Sequence, residues 1–197
     1  MINLVDDFIP LSYQNLIEKT ITDHNMPWRW LEHMDTDYEG YSGQFNDIYQ
    51  EDEEPFRTES AELYYTLGAL LCKIQDEILP DYQYYRIRGV MQTPHPNSPK
   101  HFIPHVDWST SGEKSVIYYP HDTTGDTYFF KEEELYNRKL RIRNKKDYKW
   151  EPIESVSPKK GRLVVFNSHQ YHAGSAPVSG RRLLININYL NNRRNII

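Results

Sequence analysis

The reading of the fold turns on Arg181-Arg182-Leu183-Leu184-Ile185-Asn186-Ile187-Asn188-Tyr189. It leaves the turn-rich Pro177-Val178-Ser179-Gly180 and alternates with period two, the mark of a β-strand with two unlike faces. Arg182, Leu184, Asn186 and Asn188 share one face; Arg181, Leu183, Ile185 and Ile187 share the other. A face with one arginine and two asparagines is too polar for packed core, and it suits the wall of a wet or ligand-filled cavity.

Comparable runs lie upstream. Tyr82 to Thr93, Ser115 to Tyr119, Thr127 to Phe130 and Arg162 to Phe166 are β-branched or aromatic stretches separated by Gly, Pro, Asn or Asp. Before them the chain has helical texture. Leu63, Leu67, Leu70, Leu71, Ile74 and Ile78 recur at helical spacing until Pro80 stops the run. Cys72 falls within that pattern and reads as a buried small side chain. Nearer the start, Val5 to Pro10 reads as a short strand. Ser12 then caps a helix with Leu16, Ile17, Thr20 and Ile21 on its inner face. Pro27 to Pro55 reads as strands and loops. The expected fold is mainly β with N-terminal helices, a double-stranded β-helix (jelly roll) buttressed by helices. The 197 residues suit one domain, helical over about 1–80 and jelly roll over about 82–190.

Composition narrows the function classes. Hydrophobic residues make up 38% and charged residues 26%, as in soluble globular proteins. A net charge of −5 argues against a general nucleic-acid partner, the stretch from Arg138 to Lys149 being the basic exception. The sole cysteine excludes an internal disulfide and a thiolate zinc site. No apolar run reaches bilayer-spanning length, so the expectation is no membrane and a reducing cytoplasmic setting. The sequence sets no oligomeric state.

Two further pieces join the polar strand face. In His105-Val106-Asp107, residues i and i+2 of an extended segment point to one side and can converge on an ion. Such a pair alone arises easily by chance. His172, after the strand Gly161 to Phe166, offers a third ligand. Two histidines and one carboxylate leave open coordination positions, as non-haem iron oxygenases need, although zinc accepts the same donors. Arg182 is preferred to Arg181 as a bidentate carboxylate anchor because it lies on the polar face. His169, at the end of the strand, matches the arginine spacing less well than His172; His101 and His121, which flank the proposed site, and His24, His33 and His95 read as surface or locally bonded histidines.

His105-Val106-Asp107, His172 and Arg182 ten positions beyond it resemble the signature of iron(II)/2-oxoglutarate oxygenases of the prolyl 4-hydroxylase type. The resemblance runs from about Tyr82 to Tyr189. It includes Val116 to Tyr119, the Gly-rich turn Thr124 to Phe130, and Asp6 to Pro10 ahead of a helix. It implies iron(II) on His105, Asp107 and His172 as the catalytic centre. It implies 2-oxoglutarate held by Arg182 with Tyr119 (Tyr118 as the fallback) and with Asn186 and Asn188 lining its site. Dioxygen and 2-oxoglutarate would yield succinate and CO2 as a peptide or small-molecule substrate, peptidyl proline among them, is hydroxylated, with L-ascorbate as an accessory. Many members carry an aromatic residue shortly before the metal motif; Thr93-Pro94-His95-Pro96 supplies none. Two rivals stand: a non-catalytic jelly-roll binding module, and a cupin-like zinc or manganese enzyme.

Overall fold

The computed structural model describes residues 2–31, 43–50, 60–108, 112–133 and 148–192. His33 and most of the basic Arg138–Lys149 stretch lie outside these residues. The described chain is mainly β: a jelly roll of two antiparallel sheets with two helices on one side.

Strand β1 is Asn3–Val5, helix α1 Leu11–Ile21, β2 Arg29–Leu31, β3 Gly43–Gln50 and helix α2 Ala61–Glu77. Then follow β4 (Tyr82–Gln92), β5 (Lys114–Tyr119), β6 (Thr127–Glu133), β7 (Pro152–Val156), β8 (Arg162–Asn167), β9 (Gln170–Gly174) and β10 (Arg182–Asn191). The larger sheet has the order β1-β8-β5-β10-β4-β3-β2, and the smaller has the order β7-β6-β9.

Alternation along each central strand builds two cores. Leu183, Ile185, Ile187 and Tyr189 of β10, with Val116 and Tyr118 of β5, face the helices and pack against Ile17, Ile21, Leu63, Leu67, Leu70 and Ile74. The opposite face contributes Leu184, Ile117, Tyr119, Val164 and Phe166, which meet Phe129 and Val156 between the sheets. Each such side chain taken from water contributes about 1.5–3 kcal/mol, so the alternation itself holds the layers together.

Several local expectations change. The first strand ends at Val5, and α1 begins at Leu11 with Pro10 in the capping position and no side-chain cap. Ser12 is therefore inside the first turn. Pro10 serves because its carbonyl accepts the Tyr13 and Gln14 amides at 2.9 and 3.0 Å, and its own missing N–H is an orphan there in any case. Leu16 is 48% exposed; the buried face is Gln14, Ile17, Thr20 and Ile21. Gln14 is admitted because Gly161, at φ 76°, has no Cβ; one built there would fall 2.5 Å from the Gln14 side chain. Cys72 is exposed, since it follows Tyr65 and Ala69 along the outer stripe of α2 rather than the inner one. Strands β7 and β9 were not foreseen. Among the described residues no helix is long and apolar enough to cross a membrane.

Candidate metal centre

Residues 102–105 run antiparallel beside β9. Phe102 N donates to Gly174 O at 2.8 Å, and His105 and His172 exchange both backbone hydrogen bonds at 3.0 and 2.9 Å. Directly opposed residues project together, so the two imidazoles lie 4.5 Å apart, centroid to centroid. His172 is buried between Phe166 and Phe129. Its Nδ1 is 3.1 Å from the Gln170 carbonyl. A carbonyl partner requires the proton on Nδ1, which leaves Nε2 as a lone-pair donor.

Asp107 enters from the other side. Its amide and that of Trp108 donate to Ser168 O, at 3.0 and 3.2 Å, which pins the motif to the β8–β9 turn. The Asp107 Oδ2 atom accepts from Ser115 Oγ at 2.6 Å and from the amide nitrogens of Asn186 and Asn188, both at 3.1 Å. Oδ1 is left 3.9 Å from His172 Nε2. Donors at ~2.1 Å from one ion stand at most about 4.2 Å apart, so this pair has the right spacing. One ligand atom from each of His105, Asp107 and His172 lies within 4.8 Å of the others. Burial alone would push the Asp107 carboxyl up. The two imidazoles and the Ser115 hydroxyl outweigh it and hold the group well below the usual carboxylate range. An ionised oxygen beside two imidazoles suits a divalent cation.

Arg182 occupies the other end of the same β10 face and is 1% exposed. Its Nε donates to Gly125 O at 2.5 Å, Nη1 to Gln92 Oε1 at 2.7 Å and Nη2 to Thr127 Oγ1 at 2.7 Å. All three acceptors are neutral, and among the described residues no carboxylate pairs with it. Burial pushes the guanidinium down from its ordinary value, with Tyr119 and Asp126 acting in the opposite direction. The group remains charged, as arginine does in proteins. Gly125, at φ 94°, is required there: a Cβ would come 2.9 Å from Arg182 Cδ and 2.7 Å from Ser175 O. A buried cation among neutral acceptors is the structural signature of an anion site.

The expected site residues thus fall into two groups on one face. Tyr119 is buried, its hydroxyl 2.6 Å from Thr127 Oγ1, and its ring lies 5.8 Å from the Arg182 guanidinium. Tyr118, the fallback, packs into the helix-side core. Asn186 and Asn188, expected at the cosubstrate, both donate to Asp107 Oδ2. Asn186 Oδ1 is buried without a hydrogen-bond partner in the structure, an acceptor left for a bound group. Arg181 is exposed, and its carbonyl accepts from His121 at 2.9 Å. His101 packs on Phe130, and His24 is exposed beside Asp23. Gln92 and Ser115 were missed. Each faces a key residue only through cross-strand register, which the sequence does not print.

The residues fit iron(II) and 2-oxoglutarate: a two-histidine, one-carboxylate donor set at one end and a buried guanidinium at the other. The descriptor of the 2OG-Fe(II) oxygenase superfamily matches residues 91–190, just over half the chain. Curated proteins give no match. Among solved structures, a prolyl-4-hydroxylase of Pseudomonas putida is 15% identical at TM-score 0.59, covering 96% of this chain and 92% of that one. A 2OG-Fe(II) oxygenase-family oxidoreductase of Burkholderia pseudomallei is 12% identical at TM-score 0.66, over 96% and 86%. The alpha ketoglutarate dependent epimerase SnoN from nogalamycin biosynthesis is 11% identical at TM-score 0.67, over 96% and 78%. At these identities the structural likeness speaks for the fold, and the matched residues decide the rest: the chain is an enzyme of the 2OG-Fe(II) oxygenase superfamily, with iron(II), 2-oxoglutarate and dioxygen as its cofactors.

Proposed function

We propose that this chain is a hydroxylase in which His105, Asp107 and His172 hold iron(II) and Arg182 receives the distal carboxylate of 2-oxoglutarate. The observation that carries this reading is the pairing of the three-ligand cluster with a buried, uncompensated guanidinium on one strand face. When bound, the metal and cosubstrate supply the oxidising chemistry, turning 2-oxoglutarate and dioxygen into succinate and CO2 as substrate is hydroxylated. The protein's own residues hold and shield these reagents. Asn186, Asn188 and Ser115 saturate Oδ2 of Asp107, so that Oδ1 is presented to the ion. Gln170 fixes the His172 tautomer. Thr127 joins the Tyr119 hydroxyl to Arg182, and burial of that end keeps water from competing for the carboxylate.

The substrate is a peptide or a small molecule, and prolyl peptides are the first candidates because prolyl hydroxylases share the fold. SnoN, an epimerase on the same scaffold, shows that fold alone does not set the outcome. The test is succinate formation from 2-oxoglutarate by the anaerobically purified chain, with iron(II), ascorbate and oxygen restored, across prolyl peptides and free amino acids. Iron-dependent succinate, with substrate mass rising by one oxygen atom, supports the reading. No 2-oxoglutarate consumption under any condition overturns it, and zinc retained at full occupancy favours the cupin-like rival.

A further inference from the structure

Strand β4 carries an irregularity opposite the metal-centre end of β10. Asn188 pairs with Arg86, but Tyr189 pairs with Tyr84, so Tyr85 is the extra residue of a β-bulge. In regular alternation Tyr85 and Arg86 would project from opposite faces. A bulge re-aims a side chain, and bulges recur beside active sites. Tyr84 stays on the helix side, packed on Tyr49 and Tyr189. Tyr85 instead sets its ring edge-on to Trp108, which follows Asp107, with centroids 5.6 Å apart. Arg86 donates from Nε to Asn188 Oδ1 at 2.8 Å and brings Nη2 to 3.9 Å from Asp107 Oδ1. Both side chains therefore flank the metal motif, across β10 from its Asn188 end, whereas 2-oxoglutarate is assigned to its Arg182 end.

The polar ends of both are underused. Among the described residues the carboxylate within 4 Å of Arg86 is that of Asp107, beyond hydrogen-bond distance, and a metal would take up that charge. Because Nε is committed to Asn188, the Nη1–Nη2 edge remains, and it matches the two oxygens of a carboxylate or phosphate. Tyr85 Oη is buried with no hydrogen-bond partner in the structure. Burial chiefly, with Asp107 and Glu113 adding and Arg86 opposing, pushes the phenol up to about 12, so it is a donor at neutral pH. A buried donor without an acceptor is destabilising, and a bound acceptor would relieve it. Arg88, two residues on, differs: its Nε is 2.7 Å from Asp47 and its charge is met.

We propose that Tyr85 and Arg86, brought to one face by the bulge in β4, form the receptor for an anionic group, carboxylate or phosphate, on the substrate oxidised at the metal centre. The proposal rests on the metal-centre reading above and narrows its substrate class to acids.

The test is calorimetry on the full chain loaded anaerobically with iron(II) and 2-oxoglutarate, where nothing turns over. N-acetyl amino acids are titrated against their carboxamides, and O-phosphoserine against serine. At least one acid binds about 10- to 100-fold more tightly than its neutral counterpart, the worth of a charge-assisted hydrogen-bonded pair. The arm that shows the preference names the anion. Arg86→Gln brings the acid to within about 3-fold of its amide, and Arg86→Lys restores part of the gap, since ammonium keeps charge without the fork. Tyr85→Phe, which keeps the ring against Trp108, costs about 5-fold on the acid alone. Acid and neutral probes bound alike by the unmodified protein overturn the receptor. So does an Arg86→Gln protein that weakens acid, amide and iron equally, because that is the loss of a brace on Asn188. The metal-centre reading fails separately, by absence of 2-oxoglutarate binding in the same calorimeter before any probe is added.

Discussion

Two arginines lie at opposite ends of one polar face, and their surroundings differ in kind. Arg182 is 1% exposed and gripped by three neutral oxygens, whereas the Arg86 side chain is 22% exposed, with one asparagine as its hydrogen-bond partner. Coulomb attraction is far stronger in the low-dielectric site, and a fully gripped guanidinium offers its remaining N–H groups in one direction only. In the proposed reading, the buried end receives one invariant dicarboxylate. The partly exposed end, with fewer fixed partners, suits the more varied anion proposed for the substrate. Asp107 accepts from Asn186 and Asn188 of the same face, and Arg86 Nη2 lies 3.9 Å from its Oδ1.

Removing that shared centre has the largest effect. Asp107→Asn loses the charged ligand and drops iron-dependent succinate formation by more than the roughly 10–100-fold that outer-shell partners are worth. Iron content of the purified protein measures it directly. A variant that retains iron and turnover would sever the two ends from the metal.

Arg182→Gln comes next. It raises the 2-oxoglutarate requirement about 100-fold through loss of a charge-assisted, desolvated contact, while iron affinity changes little. The same loss appears without turnover: at 100 times its dissociation constant, 2-oxoglutarate stabilises the unmodified protein by about 2.7 kcal/mol, whereas at the same concentration the variant keeps only about 0.4 kcal/mol. An unchanged thermal shift would mean that the buried end is not the cosubstrate end. Asn188→Ala is smaller. It removes one of three donors to Asp107 Oδ2 and the anchor of Arg86, for about 10-fold in iron affinity by titration. If iron affinity holds and acid binding falls, Asn188 serves Arg86 rather than Asp107.

How much of this was legible follows from where the information lies. Period-two alternation in Arg181–Tyr189 sorted Arg182 inward and Arg181 outward, because a strand must send neighbours to opposite faces and only one face can be apolar core. The same logic made the α2 stripe readable from Leu63 to Ile74. What alternation does not carry is register. Gln92 faces Arg182, and Ser115 reaches Asp107, only because β4 and β5 flank β10 in one alignment. The bulge at Tyr85 is invisible for the same reason: an extra residue exists only relative to a partner strand. Strand β9 is five residues long and starts right after the β8 turn, too short for a pattern of its own, so His172 read as a residue after a strand rather than one within it. Apolar character alone does not place Cys72, because it continues the exposed stripe of Tyr65 and Ala69 rather than the buried one.

The smallest expected effect separates Arg86 from its neighbour on the same face. Arg88 lies across β10 from Asn186 as Arg86 does from Asn188, and charge counting alone would give both a role in attracting an acidic substrate. The difference is compensation. Arg88 is paired with Asp47 and lies over the Phe45 ring at 5.0 Å, with 36% of its side chain exposed. A pair this exposed is worth at most about 1 kcal/mol, and its field at a ligand is nearly cancelled by the carboxylate beside it. Arg88→Gln therefore shifts the denaturation midpoint only slightly and leaves the acid-over-amide ratio within about 2-fold, the limit set by screened surface charge. A drop as large as that of Arg86→Gln would show that the whole cationic strip, rather than the bulge, selects the substrate.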